Sequence, residues 1–218
     1  MLEHASAWER LAERAGGTVA GFAIATTADG ATLVFAATSA GIYCSRDLGS
    51  TWTATSIDDT VPFAEMVAVS SRFAQDRTLF VGGRNGLYRS QDGGASWLRV
   101  LSGGRVTSVV LTPGDGVLFV GTEVDGIVRS ADGGRTWASA NPGLLDLSVL
   151  ALALSPEFER DGTGFAATAS GVYRTRNGGR SWRLVETGLD ELAVQCLAIR
   201  RASLTISCCW PGPRPIGC

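Results

Sequence analysis

Lysine is absent from the 218-residue chain, and histidine occurs once, at His4. With a single histidine no zinc site built on several imidazoles can form, and a Ser-His base would have to come from that one position. All 19 basic residues are therefore arginine, interspersed with 21 acidic residues, so no basic face stands out and nucleic-acid binding is not expected. Long apolar runs are lacking too: no segment approaches the roughly 20 residues that span a bilayer. Residues 1–15 carry neither a basic leader nor an uninterrupted apolar stretch, which excludes a secretory signal there and gives a cytoplasmic location as the expectation. Cysteine supplies no framework: Cys44 and Cys196 stand alone, Cys208, Cys209 and Cys218 crowd the last residues, and no CxxC pair occurs. Proline is scarce, with seven residues.

Glycine, by contrast, is abundant. The 28 glycines are nearly twice the usual share of roughly 7%, which marks a turn-rich chain of many short strands. Four segments align without gaps: Gly41 to Trp52, Gly86 to Trp97, Gly126 to Trp137 and Gly171 to Trp182, with tryptophans 45, 40 and 45 residues apart. Eleven of the glycines, four of the six tryptophans and all three tyrosines lie inside this unit. Two β-like runs precede each copy, such as Ala64 to Ser70 and Thr78 to Gly82. The Gly-aliphatic-Tyr stretch supplies a third strand, and the Trp opens a fourth, as in Trp97 to Leu101. Four strands per period of 40 to 45 residues is the pattern of a β-propeller blade.

The connecting turn accounts for the repeated residues without a ligand. In Ser90 to Trp97, the Asp92 carboxylate reaches backbone N–H groups ahead of it, Gly94 takes positive φ, and Trp97 returns a ring over the hairpin. The pattern Ser/Thr-x-Asp-x-Gly-x-Ser/Thr-Trp resembles the Asp-box, or bacterial neuraminidase repeat. Its four copies are Ser45, Asp47, Gly49, Thr51 and Trp52; Ser90, Asp92, Gly94, Ser96 and Trp97; Ser130, Asp132, Gly134, Thr136 and Trp137; and Thr175, Asn177, Gly179, Ser181 and Trp182. The last copy keeps an acceptor at Asn177 but loses the charge. The resemblance covers residues 19–199 and implies a structural turn on the outer part of each blade. Families with this repeat include sialidases, xyloglucanase-type glycoside hydrolases, sortilin-like receptors and photosystem II assembly factors, and the regular spacing looks most like the last.

The fold expected is thus all-β: a β-propeller of four-stranded blades, four blades plus one extra strand in an incomplete ring, with a short N-terminal helix. Residues 1–18 read as an amphipathic helix and linker, with Leu2, Ala5, Trp8, Leu11 and Ala12 at helical spacing. Residues 19–199 form the blades, Leu192 to Ile199 beginning a fifth. Residues 200–218 are an atypical tail. Read one base earlier, the codons from Arg200 permit PGFADDIVLLAGT, of which Leu-Leu-Ala is forced. That string matches Pro156 to Thr168 one period later, so a frameshift is the expected origin of the tail.

The same residues bear on function. A sialidase resemblance would require an arginine cluster and a free Tyr nucleophile. Arg72, Arg84, Arg105 and Arg160 lie outside the repeat, but Tyr43, Tyr88 and Tyr173 are all used by its third strand. A glycoside hydrolase needs two carboxylates across a cleft, for which Asp58, Asp59, Asp115, Glu123, Asp125 and Asp146 are loop candidates. Each turn offers one carboxylate, too few for Ca²⁺. Arg89, Arg129 and Arg174 recur at one position that Cys44 fills in the first copy, which implies a structural role. The expected function is a non-catalytic scaffold for protein or glycan binding and assembly, with glycoside hydrolysis as the alternative. Catalytic, metal and cofactor-binding residues are expected to be none, and self-association through the open propeller edges is expected.

Overall fold

The computed structural model describes residues 17–55, 63–112, 114, 116–185, 194–200 and 203–209. His4 and the expected N-terminal helix lie outside them. Among these residues four antiparallel four-stranded sheets follow one another, each pairing its strands in chain order. Blade 1 holds β1 (Val19–Thr26), β2 (Thr32–Thr38), β3 (Gly41–Ser45) and β4 (Thr53–Ala54). Blade 2 holds β5 (Ala64–Val69), α1 (Phe73–Asp76), β6 (Leu79–Gly83), β7 (Gly86–Ser90) and β8 (Leu98–Ser102). Blade 3 holds β9 (Val106–Leu111), β10 (Leu118–Thr122), β11 (Ile127–Ser130) and β12 (Ala138–Ser139). Blade 4 holds β13 (Val149–Leu154), α2 (Phe158–Asp161), β14 (Gly164–Thr168), β15 (Gly171–Thr175) and β16 (Arg183–Leu184). The strands fall within a residue or two of where the sequence places them.

A fifth unit begins with β17 (Cys196–Arg200), which packs against β13 and β14 of blade 4. The extra strand is one half of a hairpin, because Ser203–Cys209 of the tail pairs with it as β18. Blade 4 joins its first two strands through α2 instead, over residues 155–163.

The core lies between blades. Phe35, Phe80, Phe119 and Phe165 share one register position on the second strands, opposite Cys44, Arg89, Arg129 and Arg174, and all four are buried. Each turns toward the following blade. Phe35 meets Phe73 of α1 edge-on at 5.8 Å, and Phe119 meets Phe158 of α2 at 5.5 Å. The following blade answers with its first strand, its Tyr and its Trp: Val67, Val69, Leu79, Tyr88 and Trp97 of blade 2 all pack into the cluster around Phe35. Blade 3 repeats this on Phe80, and blade 4 on Phe119.

The helices are single turns fixed by a local motif. Ser70 and Ser155 donate to Asp76 and Asp161 at 2.7 and 2.6 Å, and those carboxylates accept the Thr78 and Thr163 N–H groups at 2.9 and 2.7 Å. Blades 1 and 3 have shorter connections there, which accounts for the alternation between 45- and 40-residue spacings.

Candidate functional site at the channel

The four Asp/Asn turns join the third and fourth strands of their blades, so they sit at the outer edge of the stack. Their bonding is nearly identical. The hydroxyls of Ser45, Ser90, Ser130 and Thr175 donate to the Asp or Asn Oδ1 at 2.7–2.9 Å. The same hydroxyls accept the N–H of Gly49, Gly94, Gly134 and Gly179 at 2.7–3.0 Å. Oδ1 also accepts the N–H of Thr51, Ser96, Thr136 or Ser181, and in the three aspartate copies that residue's hydroxyl donates to Oδ2. In the fourth copy the last bond reverses, with Asn177 Nδ2 donating to Ser181 Oγ at 2.8 Å.

These donors depress the carboxyls. The Thr51 hydroxyl, then its N–H and Ser45, hold Asp47 at about 2. The Ser96 hydroxyl and N–H, with Ser90, do the same for Asp92 against some desolvation, also giving about 2. Asp132 is driven lower still, first by the Thr136 hydroxyl. Both oxygens of each turn carboxylate are thus engaged inside the turn, and among the described residues no three His, Cys, Asp or Glu side chains cluster as metal ligands.

Two of the turn glycines have a further duty. All four take positive φ, between 81° and 99°. A Cβ on Gly179 would lie 2.3 Å from Phe119, and one on Gly134 would lie 3.1 Å from Phe80. The turns of blades 3 and 4 therefore clamp the phenylalanines of the blades before them, while a Cβ on Gly94 of blade 2 would lie 3.2 Å from Thr55. Of the recurrent arginines, Arg89 donates to Gly133 O of the next blade's turn at 3.0 Å, and Arg129 lies over the Phe119 ring.

The inner strands point elsewhere. In all four blades the pairing of the first strand with the second slips by one residue, leaving Ala20, Glu65, Thr107 and Leu150 unopposed. A β-bulge of this kind re-aims one side chain out of the ladder. Here the four bulged residues line one cavity of about 580 Å³, joined by Gln195, 45 residues after Leu150. Thr18, Ser39, Phe63, Arg84 and Arg105 complete much of its wall.

Charge in the cavity is compensated. Arg105 Nε donates a short hydrogen bond to Glu65 Oε2, Arg84 Nε lies 3.7 Å from Glu65 Oε1, and Arg105 also stands 3.6 Å from Glu123. The Glu65 bond and the two neighbouring carboxylates raise the Arg105 pKa above its ordinary value. Arg84 stacks on the Phe63 ring at 4.6 Å, and Phe63 holds a positive φ of 58°. Phe63 and the Arg84 side chain both stand well exposed, so the cavity offers an aromatic surface and two guanidiniums beside hydroxyl and amide groups.

The residues considered for catalysis are dispersed. Arg72 lines a separate cavity beside Asp76 and Arg89, and Arg160 pairs with Glu157 on α2. Tyr88 and Tyr173 are buried between blades. Asp146 is held below the ordinary carboxylate range, its desolvation outweighed by bonds from Ser148, Ser170 and Thr168. Asp125 shapes a loop, its N–H donated to Thr122 and its carbonyl accepting from Asn141. Asp58, Asp59 and Asp115 lie outside the described residues. The bulges are what sequence reading missed.

A comparison with protein families finds no match, and neither does a comparison with curated proteins. Solved structures do match. An ancestral GH74 enzyme superposes on 89% of this chain with a TM-score of 0.68 and 21% identity. The GH74 xyloglucanase from Xanthomonas campestris superposes on 88% with 0.65 and 19%. The extracellular domain of a putative hybrid two-component system from B. thetaiotaomicron superposes on 85% with 0.63 and 14%. The fold is a β-propeller. The chain spans 27%, 33% and 26% of the lengths of those three proteins.

Proposed function

We propose that the chain is a non-catalytic propeller scaffold whose turns are Asp-boxes and whose channel cavity receives a polar ligand, a glycan or a protein loop. The convergence of the four bulged residues on one cavity carries this reading. A bulge at the same place in every blade costs ladder hydrogen bonds four times, and what it gains is access to the channel. The wall chemistry suits recognition: hydroxyl, amide and guanidinium groups orient a ligand, and Phe63 offers an apolar face. A GH74 xyloglucanase and the extracellular domain of a putative hybrid two-component system are among the structures sharing this fold, which makes a glycan the first ligand class to try.

The test pairs binding with turnover. Xyloglucan oligosaccharides and a wider glycan panel are titrated into the full chain by calorimetry, with reducing-sugar release followed in parallel and a fluorogenic sialoside as a further substrate. The expected result is saturable binding that Arg84→Ala weakens about 10-fold, with no product. A single lost charge-assisted hydrogen bond is worth about 1.5 kcal/mol or more, consistent with that factor. Turnover abolished by Asp125→Asn would establish the glycosidase alternative instead.

A further inference from the structure

The four turns do not carry the same charge. Thr175 to Trp182 holds Arg176 and Arg180, and Asn177 stands at its carboxylate position. Each of the other three turns keeps its aspartate and has at most one arginine, Arg46 or Arg135. The fourth turn is therefore cationic, while the others are neutral or acidic.

That turn lines a cavity of about 450 Å³ together with α2 and with Arg129 of β11. The cavity shares no lining residue with the channel. Space is free above the turn, where a Cβ on Gly178 would meet nothing within 4 Å. On α2, Arg160 pairs with Glu157, and the Asp161 carboxylate is engaged by the Ser155 hydroxyl and the Thr163 N–H. Glu159 is the remaining carboxylate among the lining residues. Against this one negative charge stand the guanidiniums of Arg129, Arg176 and Arg180, with which no carboxylate pairs among the described residues.

Arg129 supplies a second observation. Arg89, at the same position in blade 2, donates to Gly133 O of the following turn at 3.0 Å, and the corresponding acceptor for Arg129 is Gly178 O. Arg129 makes no such bond. Its guanidinium lies over Phe119, and its buried Nε has no hydrogen-bond partner. A cationic N–H held out of water without an acceptor costs free energy that an incoming anion returns.

We propose that this cavity binds a phosphate group, as the free ion or as a monoester. A guanidinium matches two oxygens of a phosphate at once, and several arginines can divide its oxygens among them. A phosphate monoester carries about 1.5 to 2 negative charges at neutral pH, which balances the surplus of three guanidiniums over one carboxylate. Asn177 is what admits it: Asp47 and Asp92, at the same position in their turns, titrate at about 2 and would repel an anion. The site stands at this junction alone and is independent of any ligand in the channel.

Melting curves of the full chain, with phosphate replacing chloride at constant ionic strength in the low millimolar range, test this. The melting temperature is expected to rise with phosphate concentration, because a ligand bound by the folded state stabilises it. Acetate is expected to give a smaller rise. Arg180→Ala removes one charge-assisted contact and is expected to weaken the apparent affinity about 10-fold. Asn177→Asp restores the residue of the other turns, so it keeps the fold, and is expected to abolish the shift. Arg46→Ala removes an equal charge from the first turn and is expected to leave the shift at its wild-type size. Glucose 6-phosphate beside inorganic phosphate identifies the source: tighter binding of the ester assigns the group to a sugar, and equal or weaker binding assigns the free ion. A melting temperature that ignores phosphate overturns the proposal. So does a shift that survives Asn177→Asp or Arg180→Ala, a shift lost equally in Arg46→Ala, or one that acetate reproduces in full.

Discussion

Asp47, Asp92 and Asp132 each close a turn with bonds that only the ionised carboxylate can accept in full. Asp47 and Asp92 titrate at about 2 in the folded chain, against about 3.9 for an unperturbed aspartate. A pKa depressed by folding contributes stability that is complete above the unfolded value and is lost as pH falls through the folded one. The stability of the protein is therefore expected to decline between about pH 4 and about pH 2. The triple change of Asp47, Asp92 and Asp132 to Asn should flatten that decline in denaturant midpoints measured across the range, because Asn177 shows that the neutral side chain reverses one bond and keeps the turn. Leu48 provides a second check at this scale. It occupies φ 58° where the other three turns place Gly93, Gly133 and Gly178. Leu48→Gly should stabilise the chain by about 0.5–1 kcal/mol, since relief of the left-handed strain exceeds the entropy cost of glycine.

At the scale of the element, the unit of stability is a phenylalanine held by the next blade, through its turn at Phe80 and Phe119 and through its helix at Phe35 and Phe119. Phe119 is fully buried, packed on Phe158 and close against Gly179. Phe119→Ala should cost about 3–5 kcal/mol in urea unfolding. A cost as small as that of an exposed substitution would show that blades 3 and 4 are not joined here. The strands and turns of these elements were legible in the sequence, because the repeat puts Gly-aliphatic-Tyr and Asp-x-Gly at fixed offsets that only a hairpin satisfies. Two things were not. The Ser-x-x-Phe-x-x-Asp-x-Thr stretches that form α1 and α2 are too short to show helical periodicity. The bulges arise from the register between strands, so Glu65 and Thr107 look like ordinary strand residues until their partners are known. For the same reason Arg84 and Arg105 read as scattered arginines, although Glu65 joins them across two blades.

For the whole molecule, the stack is quasi-one-dimensional: each blade packs on its neighbours, and the stability of the array depends on how its ends are covered. The blade 4 end is covered by β17 through Val194, Leu197 and Ile199. The blade 1 end exposes Phe22 and Ile24. Exposed substitutions usually change stability by no more than about 0.5 kcal/mol, so Phe22→Ser with Ile24→Thr should cost far less in urea unfolding than Phe119→Ala. A cost of several kcal/mol would show that these two side chains are buried in the folded protein, and the blade 1 end would then have to be counted as covered.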